Sequence, residues 1–430
     1  MQTAKPPLTY DLIIIGAGAA GLVAAGRAAQ GGARVLLLEK MRRAGRKLLI
    51  TGKGRCNITH DAPASVYYQN IFPNGRFLKH AFHTFFVKDI LKILHDQGVP
   101  TTTERGSRVF PVSNNAADVV NALMQWMGKK NIDILYDTRA TRLLTKKDSI
   151  EGVEVLGENG QKQYFAPNVL ICTGGKSYPA TGSTGEGYEL ARQVGHSVSD
   201  VFPALVPLVT EGDIASRLQG LGLKNVKAMV WVNGKKQKEE FGEVMFAHYG
   251  LSGPIILTLS RFVVEQLSNN HKVEISIDLK PALDEQKLDA RLLRDLDAHG
   301  KKQIDNIFKL WLPSKLIPVF LDLLQIDGSK LCHQLTAKER KRVLLLMKDL
   351  RFVVSGHPGY KEAIITAGGV ATKEIDSKTM ESKKVKGLYF AGEVIDLDGN
   401  TGGFNLQLAF STAWLAADSV AEKLKEMQND

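Results

Sequence analysis

Two hydrophobic rhythms alternate along this 430-residue chain. Short unbroken apolar runs mark strands buried on both faces, while three- to four-residue spacing marks helices with one buried stripe. The first run, Leu12 to Ile15, leads into a small-residue helix, and a second strand runs from Arg34 to Leu38. The pattern predicts helices at 86–97 and 115–128, strands at 132–136, 140–145 and 169–172, and a helix of about ten residues from Tyr188. Strands alternating with helices from residue 10 to about 200 imply a parallel sheet in an α/β layer architecture. The rhythm then changes. Segments 205–209, 226–233, 240–247 and 272–279 read as short β pieces, and 284–297, 315–324 and 337–349 as helices. From 355 the α/β character returns, with a strand at 386–391 and a final helix of about 18 residues beginning near Asn405. The expected organisation is a discontinuous α/β domain, 1–200 with 355–430, and an inserted domain, 201–354. That insert reads as barrel-like over about 201–280 and helical over about 281–354.

The first strand–helix–strand unit carries specific chemistry. Gly16, Gly18 and Gly21 occupy the positions of G-x-G-x-x-G, and Glu39 closes the unit 18 residues after Gly21. The first glycine permits the tight turn, the second lets a pyrophosphate approach the backbone, and the third lets the helix pack on the strand. The helix start offers free N–H groups and a positive dipole end to that pyrophosphate. Glu39 stands where a carboxylate accepts hydrogen bonds from ribose hydroxyls. A glycine-rich packing turn would leave Glu39 unexplained, so the unit is read as dinucleotide-binding.

Composition narrows the class. At 44% hydrophobic and 23% charged the chain has the make-up of a soluble globular enzyme. Cys56, Cys172 and Cys332 are odd in number and far apart, which argues against a disulfide framework and for a reducing compartment. No C-x-x-C occurs, so a dithiol redox centre is not expected. The apolar run near the start is broken by glycines and falls short of the ~20 residues that span a bilayer. A cytoplasmic protein without a membrane partner is expected.

The net charge of +11 invites a nucleic-acid reading. Yet seven Lys or Arg and no acid lie within residues 40–60, leaving only +4 for the rest. The excess sits beside the phosphate-binding unit, which favours a loop clamping a cofactor over a surface gripping RNA. No metal-ligand cluster and no G-x-S-x-G nucleophile turn is present. Neither is a second G-x-G-x-x-G for a separate nicotinamide domain, which leaves NAD(P)H open only as a diffusible co-substrate.

Three further segments extend the site. In GRKLLITGKGRCNIT, residues 45–59, glycines allow close backbone approach while Arg46, Lys47, Lys53 and Arg55 can neutralise phosphate. In VLICTGGKSYPATGSTGEGYELA, residues 169–191, an apolar strand ends in Thr173-Gly174-Gly175 and T-G-E-G opens a helix. In GLYFAGEVIDLDGNTGGFNLQLAFSTAWLAA, residues 387–417, Gly392-Glu393 follows a strand and Gly402-Gly403 precedes a long helix. The N-terminal amides of such a helix can stabilise negative charge developing on a reduced flavin.

In this order the four segments resemble the glutathione-reductase-like class of FAD proteins. The blocks GRKLLITGKGRCNIT, RVFPVSNNA, GGKSYPATGSTGEGY, FAHYGLSGP and GEVIDLDGNTGGFNLQ resemble a bacterial family of FAD-dependent oxidoreductases, over about residues 10–420. That family includes aminoacetone oxidase and the BaiN/YhiN-type flavoproteins. The resemblance implies FAD, a two-part Rossmann domain and an inserted barrel-plus-helices domain. It implies that Gly16, Gly18, Ala19, Ala20, Gly21 and Glu39 take the ADP half, and that Ala140 touches adenine through its backbone. Lys40, Arg46, Lys47, Thr51, Gly54, Arg55, Cys56 and Asn57 would line the pyrophosphate and flavin approach. Thr173, Gly174, Gly175, Gly392, Glu393, Gly403, Asn405 and Leu406 would complete it. Where the family commonly reads G-G-G-R-C-N-x-T-N, this chain has Lys53 and His60, which alters the electrostatics expected near the flavin.

Catalytic candidates are fewer. His248, in a turn-rich stretch, has the near-neutral titration that proton transfer needs, or is a turn histidine bonded to backbone. Arg108 pairs with an anionic substrate, or with Glu104 or Asp118. The expected activity is hydride transfer between FAD and a small organic molecule, an amine or an enone-like compound. A tRNA-modifying flavoprotein and a non-catalytic flavin-binding redox sensor are the alternatives. The substrate, the electron donor and acceptor, and the oligomeric state are not read from the sequence.

Overall fold

A computed structural model describes residues 10–128, 131–158 and 160–429. The chain divides into two compact units, one running to Pro203 and resuming at Ile364, the other comprising Ala204–Ala363.

The first unit is built on a five-stranded sheet whose order runs Leu388–Phe390, Asn168–Ile171, Leu12–Ile15, Val35–Leu38, Ile132–Leu135. Every pairing in it is parallel. Leu12–Ile15 is central and buried along its whole length, as its unbroken apolar run requires. The helix Ala19–Gln30 is made of small residues because it is pressed from several sides. A side-chain carbon at Gly26 would meet the Trp126 ring at 2.3 Å, and one at Gly31 would meet Ala421 at 2.4 Å. Ala421 belongs to the last helix, Phe404–Asn429, longer than the 18 or so residues its pattern suggested.

The parallel sheet does not take in everything between residues 10 and 200. Arg139–Lys146, Ser149–Gly157 and Gly160–Phe165 form a separate antiparallel meander. Their burial alternates or is lost, whereas every parallel strand except the edge strand Ile132–Leu135 is buried along its whole length. Period-two burial marks a sheet covered on one face only.

The second unit contains a closed six-stranded barrel. Its strands, in order around the barrel, are Leu208–Thr210, Gly250–Ser252, Lys235–Ala247, Gly222–Val232, Val273–Asp278 and Leu350–Gly356. The last of these crosses the expected boundary at 354/355, so the barrel is not confined to residues before 280. The chain makes its helices Glu285–Ala298, Ile304–Trp311, Leu316–Leu324 and Ala337–Lys348 before returning to close it. One helix absent from the sequence reading, Pro254–Ser268, packs on the barrel with Ile255, Ile256, Leu259, Val263 and Val264 buried.

Phe352 of the closing strand is buried and its ring lies 5.8 Å from that of Phe246. Phe352→Ala is expected to lower unfolding stability by about 3–5 kcal/mol, the range for emptying a buried aromatic site. Urea titration checks this; a loss under about 1 kcal/mol would show that the strand does not seal the barrel.

Candidate functional site

The glycine fingerprint divides its labour as chemistry demands. Gly16 has φ +103°, and a side-chain carbon there would sit 2.7 Å from the Cys172 carbonyl oxygen. At Gly21 such a carbon would be 1.8 Å from the Gly16 carbonyl, so only glycine lets the helix lie this close to the turn. Gly18 is different: a carbon added there meets nothing within 4 Å. This open cradle lies at the N-terminus of Ala19–Gln30, where Gly18 supplies no side-chain cap to the first amides. Glu39 points back at the same turn. Its carboxylate accepts the N–H groups of Ala17 and Met41, each at 2.9 Å, while burial pushes its pKa up. Ala19 and Ala20 begin the helix, and Ala140 is buried in the meander.

The basic loop is engaged within the protein. Lys40 donates to Thr184 Oγ1 at 2.6 Å and pairs with Glu186 at 2.9 Å. Arg46 donates to the Ala180 carbonyl at 3.0 Å. Arg55 pairs with Glu104, donates to Asn114 at 2.6 Å and lies over the Phe110 ring at 4.1 Å. Thr51 donates to the Leu48 carbonyl at 2.6 Å. Lys53 is exposed, and the backbone through Gly52, Lys53 and Gly54 has positive φ throughout. With Lys40, Arg46 and Arg55 engaged in this way, the open cradle and helix start at Gly18 are well suited to a pyrophosphate.

Lys47 leads to the centre of the site. Its ammonium donates to Ser177 Oγ and to Glu393, both at 2.6 Å. Glu393 also accepts from Ser177 Oγ at 2.8 Å and from the Thr366 N–H at 2.9 Å. Gly175 must be glycine beneath this cluster, since a side-chain carbon would meet Thr366 Oγ1 at 2.4 Å. Thr173 and Gly174 precede it, and Gly392 donates its N–H to Thr412 Oγ1 at 3.0 Å. Ser177 and Thr366 were not singled out in the sequence, where nothing local marks their role.

A second junction joins the RCN loop to the turn before the last helix. With its side-chain amide turned so that oxygen faces donor and nitrogen faces acceptor, Asn57 donates to the Thr59 carbonyl at 3.2 Å and accepts the Gly403 N–H at 3.1 Å. Gly403, with φ +102°, presses on Thr59 so closely that a side-chain carbon would lie 2.3 Å from its backbone. Asn405 braces the turn from within, accepting the Gly399 N–H at 2.7 Å and donating to the Gly399 carbonyl at 2.8 Å. Leu406 follows, half-buried. Within one unit, the loop at 45–59 thus meets Ser177 and Glu393 through Lys47, and Gly403 through Asn57.

Cys56 is fully buried with φ +60°, and burial pushes its thiol up to about 11. Cys172 and Cys332 are also buried, and both thiols are raised for the same reason. Such thiols resist ionisation, which removes the nucleophilic form.

Of the catalytic candidates, Arg108 is exposed on the strand Arg108–Pro111 of the first unit and donates to the Arg105 carbonyl at 3.3 Å. Arg55, not Arg108, forms the ion pair with Glu104. His248 lies exposed in a barrel turn of the second unit, its ring edge-on to Tyr249 at 4.6 Å. Tyr249 donates to Glu362, a contact that no local pattern announces.

Two outcomes follow for the site. Gly18→Val is expected to leave apo stability within about 1 kcal/mol of the parent. It should weaken FAD binding at least tenfold, about 1.4 kcal/mol, by filling the cradle. Gly21→Ala should instead destabilise the fold itself, so thermal melting and flavin titration separate the two. A native protein treated with a thiol reagent should react at none of its three cysteines, and at all three once unfolded; rapid native labelling of Cys56 would contradict its burial.

The open Gly18 cradle, the anchored Glu39 and the converging glycine turns fit a flavin dinucleotide. Comparison with known proteins agrees. Residues 10–419 match the HI0933-like protein Rossmann domain family. The chain is 31% identical over 412 residues to a 3-dehydro-bile acid delta(4,6)-reductase of Clostridium scindens, covering 95% of this chain and 98% of that one. It is 33% identical over 418 residues to a ribosomal RNA dihydrouridine synthase of Escherichia coli, covering 96% and 99%. A protein of the same name from Haemophilus influenzae is 30% identical, covering 96% and 98%. The chain belongs to the HI0933-like family of FAD-binding Rossmann proteins and is an FAD-dependent oxidoreductase.

Proposed function

We propose that this enzyme works in the reductive direction, adding two hydrogens across a carbon–carbon double bond conjugated to a carbonyl. The observation that carries this reading is the chemistry shared by its full-length relatives. A bile-acid reductase and a dihydrouridine synthase each saturate such a bond, one in a steroid ring and the other in a uracil ring. This favours the enone over the amine as substrate.

When bound, FAD supplies the hydride chemistry, and NAD(P)H is the proposed diffusible donor. The chain's own residues bind and orient. Gly16, Gly18, Ala19, Ala20 and Gly21 receive the pyrophosphate, Glu39 the ribose, and the Ala140 backbone the adenine. Lys40, Arg46 and Lys47 set the electrostatics of the approach through their internal pairs. Thr51, Gly54, Arg55 and Asn57 line one side of the flavin end, with Cys56 buried behind them. Thr173, Gly174, Gly175, Gly392, Glu393, Gly403, Asn405 and Leu406 line the other. The N-terminus of Phe404–Asn429 favours negative charge there. Arg108, exposed on its strand, suits the carbonyl oxygen of a substrate.

A second reading of the substrate, a uracil base within RNA, is favoured by the +11 charge and by the ribosomal RNA enzymes among the relatives. Both readings meet one anaerobic experiment. Protein reduced by NADH or NADPH is mixed with a cyclic enone or with ribosomal RNA, and the return of flavin absorbance is followed. Rapid reoxidation by the enone supports the small-molecule reading. Reoxidation by RNA alone, with binding that weakens steeply as salt rises, supports the second. Reoxidation by neither, together with reduction of the oxidised enzyme by an amine, would overturn the reductive direction.

A further inference from the structure

His60 is the titratable group placed against the turn that begins the last helix. Its backbone is fixed by the hydroxyl of the fully buried Tyr67, which accepts the His60 N–H at 2.9 Å and donates to the His60 carbonyl at 2.7 Å. Thr59, the preceding residue, donates to Gln407 at 2.7 Å, tying the same strand into the helix. The His60 ring then has little freedom. It stacks on Phe404 with centroids 4.4 Å apart and planes 25° apart, and its Nδ1 lies 3.1 Å from the Gly402 carbonyl oxygen.

That carbonyl can only accept, so Nδ1 carries the proton and Nε2 is the atom that titrates. Protonation therefore adds a full positive charge while leaving the bond to Gly402 in place. The charged neighbours are few. Asp61 directly follows His60, and Arg108 stands opposite it in the antiparallel register, with Glu104 one strand further. Tyr67 is the titratable residue facing it from the helix Ala64–Asn70. The last helix carries no charged side chain from Phe404 until Asp418.

We infer that His60 is a positioning residue that sets the electrostatics of the flavin end: neutral, it holds the Gly402 turn, and protonated, it holds the turn and adds positive charge beside the N-terminus of Phe404–Asn429. The inference rests on the reading that Gly403, Asn405 and Leu406 meet the flavin. A reduced flavin carries more negative charge than an oxidised one, so protonated His60 favours reduction. Reduction in turn favours protonation of His60, by reciprocal linkage. Burial lowers the His60 pKa, while the Gly402 carbonyl and Asp61 draw it back up, so the added charge comes on the acid side of an ordinary histidine. As pH falls through that range the midpoint potential should rise more steeply than the flavin alone dictates.

The test is a spectroelectrochemical titration of the FAD-loaded protein from about pH 5 to 8, the span in which histidine charge changes. His60→Asn keeps an N–H donor for Gly402 but cannot titrate. His60→Gln serves the same purpose if that variant does not fold. The parent should show the extra acid-side slope, and the variants should retain FAD and lose it. At the acid end the oxidised-to-reduced ratio at fixed potential should differ about tenfold, roughly 30 mV for a two-electron couple. Superposable curves from parent and variants, all with FAD bound, would overturn the inference and leave His60 a packing residue. A parent protein that takes up no FAD would overturn the flavin reading, and the inference with it.

Discussion

One largely buried carboxylate, Glu393, holds the candidate site together. Glu393 gathers the Lys47 ammonium, the Ser177 hydroxyl and the Thr366 amide, which come from three widely separated stretches of chain. A carboxylate this enclosed is tolerated because its oxygens are matched by three donors, one of them cationic. In return it fixes the turn at 173–177, the helix at 46–50 and the strand at 365–367 relative to Gly392. Gly175 has to be small for this to happen, so a backbone requirement and an electrostatic one coincide.

The same logic changes the meaning of the basic stretch at 40–60. As a string of letters it is a patch of unopposed positive charge. Folded, Lys40 meets Glu186, Lys47 meets Glu393 and Arg55 meets Glu104. These partners lie 146, 346 and 49 residues away, beyond the reach of any local count. Net charge therefore says less about free surface than it first suggests, and backbone amides at helix starts become the more important anion-binding elements.

What could be read in advance was what local sequence determines. Leu12–Ile15, its three glycines and Glu39 specify a strand, a turn and a helix within thirty residues, each enforced by short-range sterics. The meander at 139–165 was misplaced because a strand's partner and direction are not local properties. Leu350–Gly356 was misassigned for the same reason, since only its pairing with Val273–Asp278 and Leu208–Thr210, far upstream, explains its burial. The helix Pro254–Ser268 was readable in principle: Ile255, Ile256, Leu259, Val263 and Val264 recur at helical spacing behind a proline suited to a first turn. In the site, the glycines and Glu39 were visible through backbone geometry. Ser177, Thr366 and Tyr67 were not, because a hydroxyl acquires its role only from what it faces.

The strand order of the first unit bears on how the protein is made. Leu388–Phe390 is an edge strand of the parallel sheet, and it is synthesised after the whole barrel unit. At about 5–20 residues per second, the ribosome exposes Asn168–Ile171 well before its neighbour exists. Until then that strand presents an unpaired apolar edge, the kind of surface that invites misassociation. The barrel unit, contiguous in sequence, has all its own strands once Gly356 is made, 32 residues before Leu388. Birth order thus runs opposite to reading order: the middle of the chain has the means to fold first, and its two ends must wait for each other.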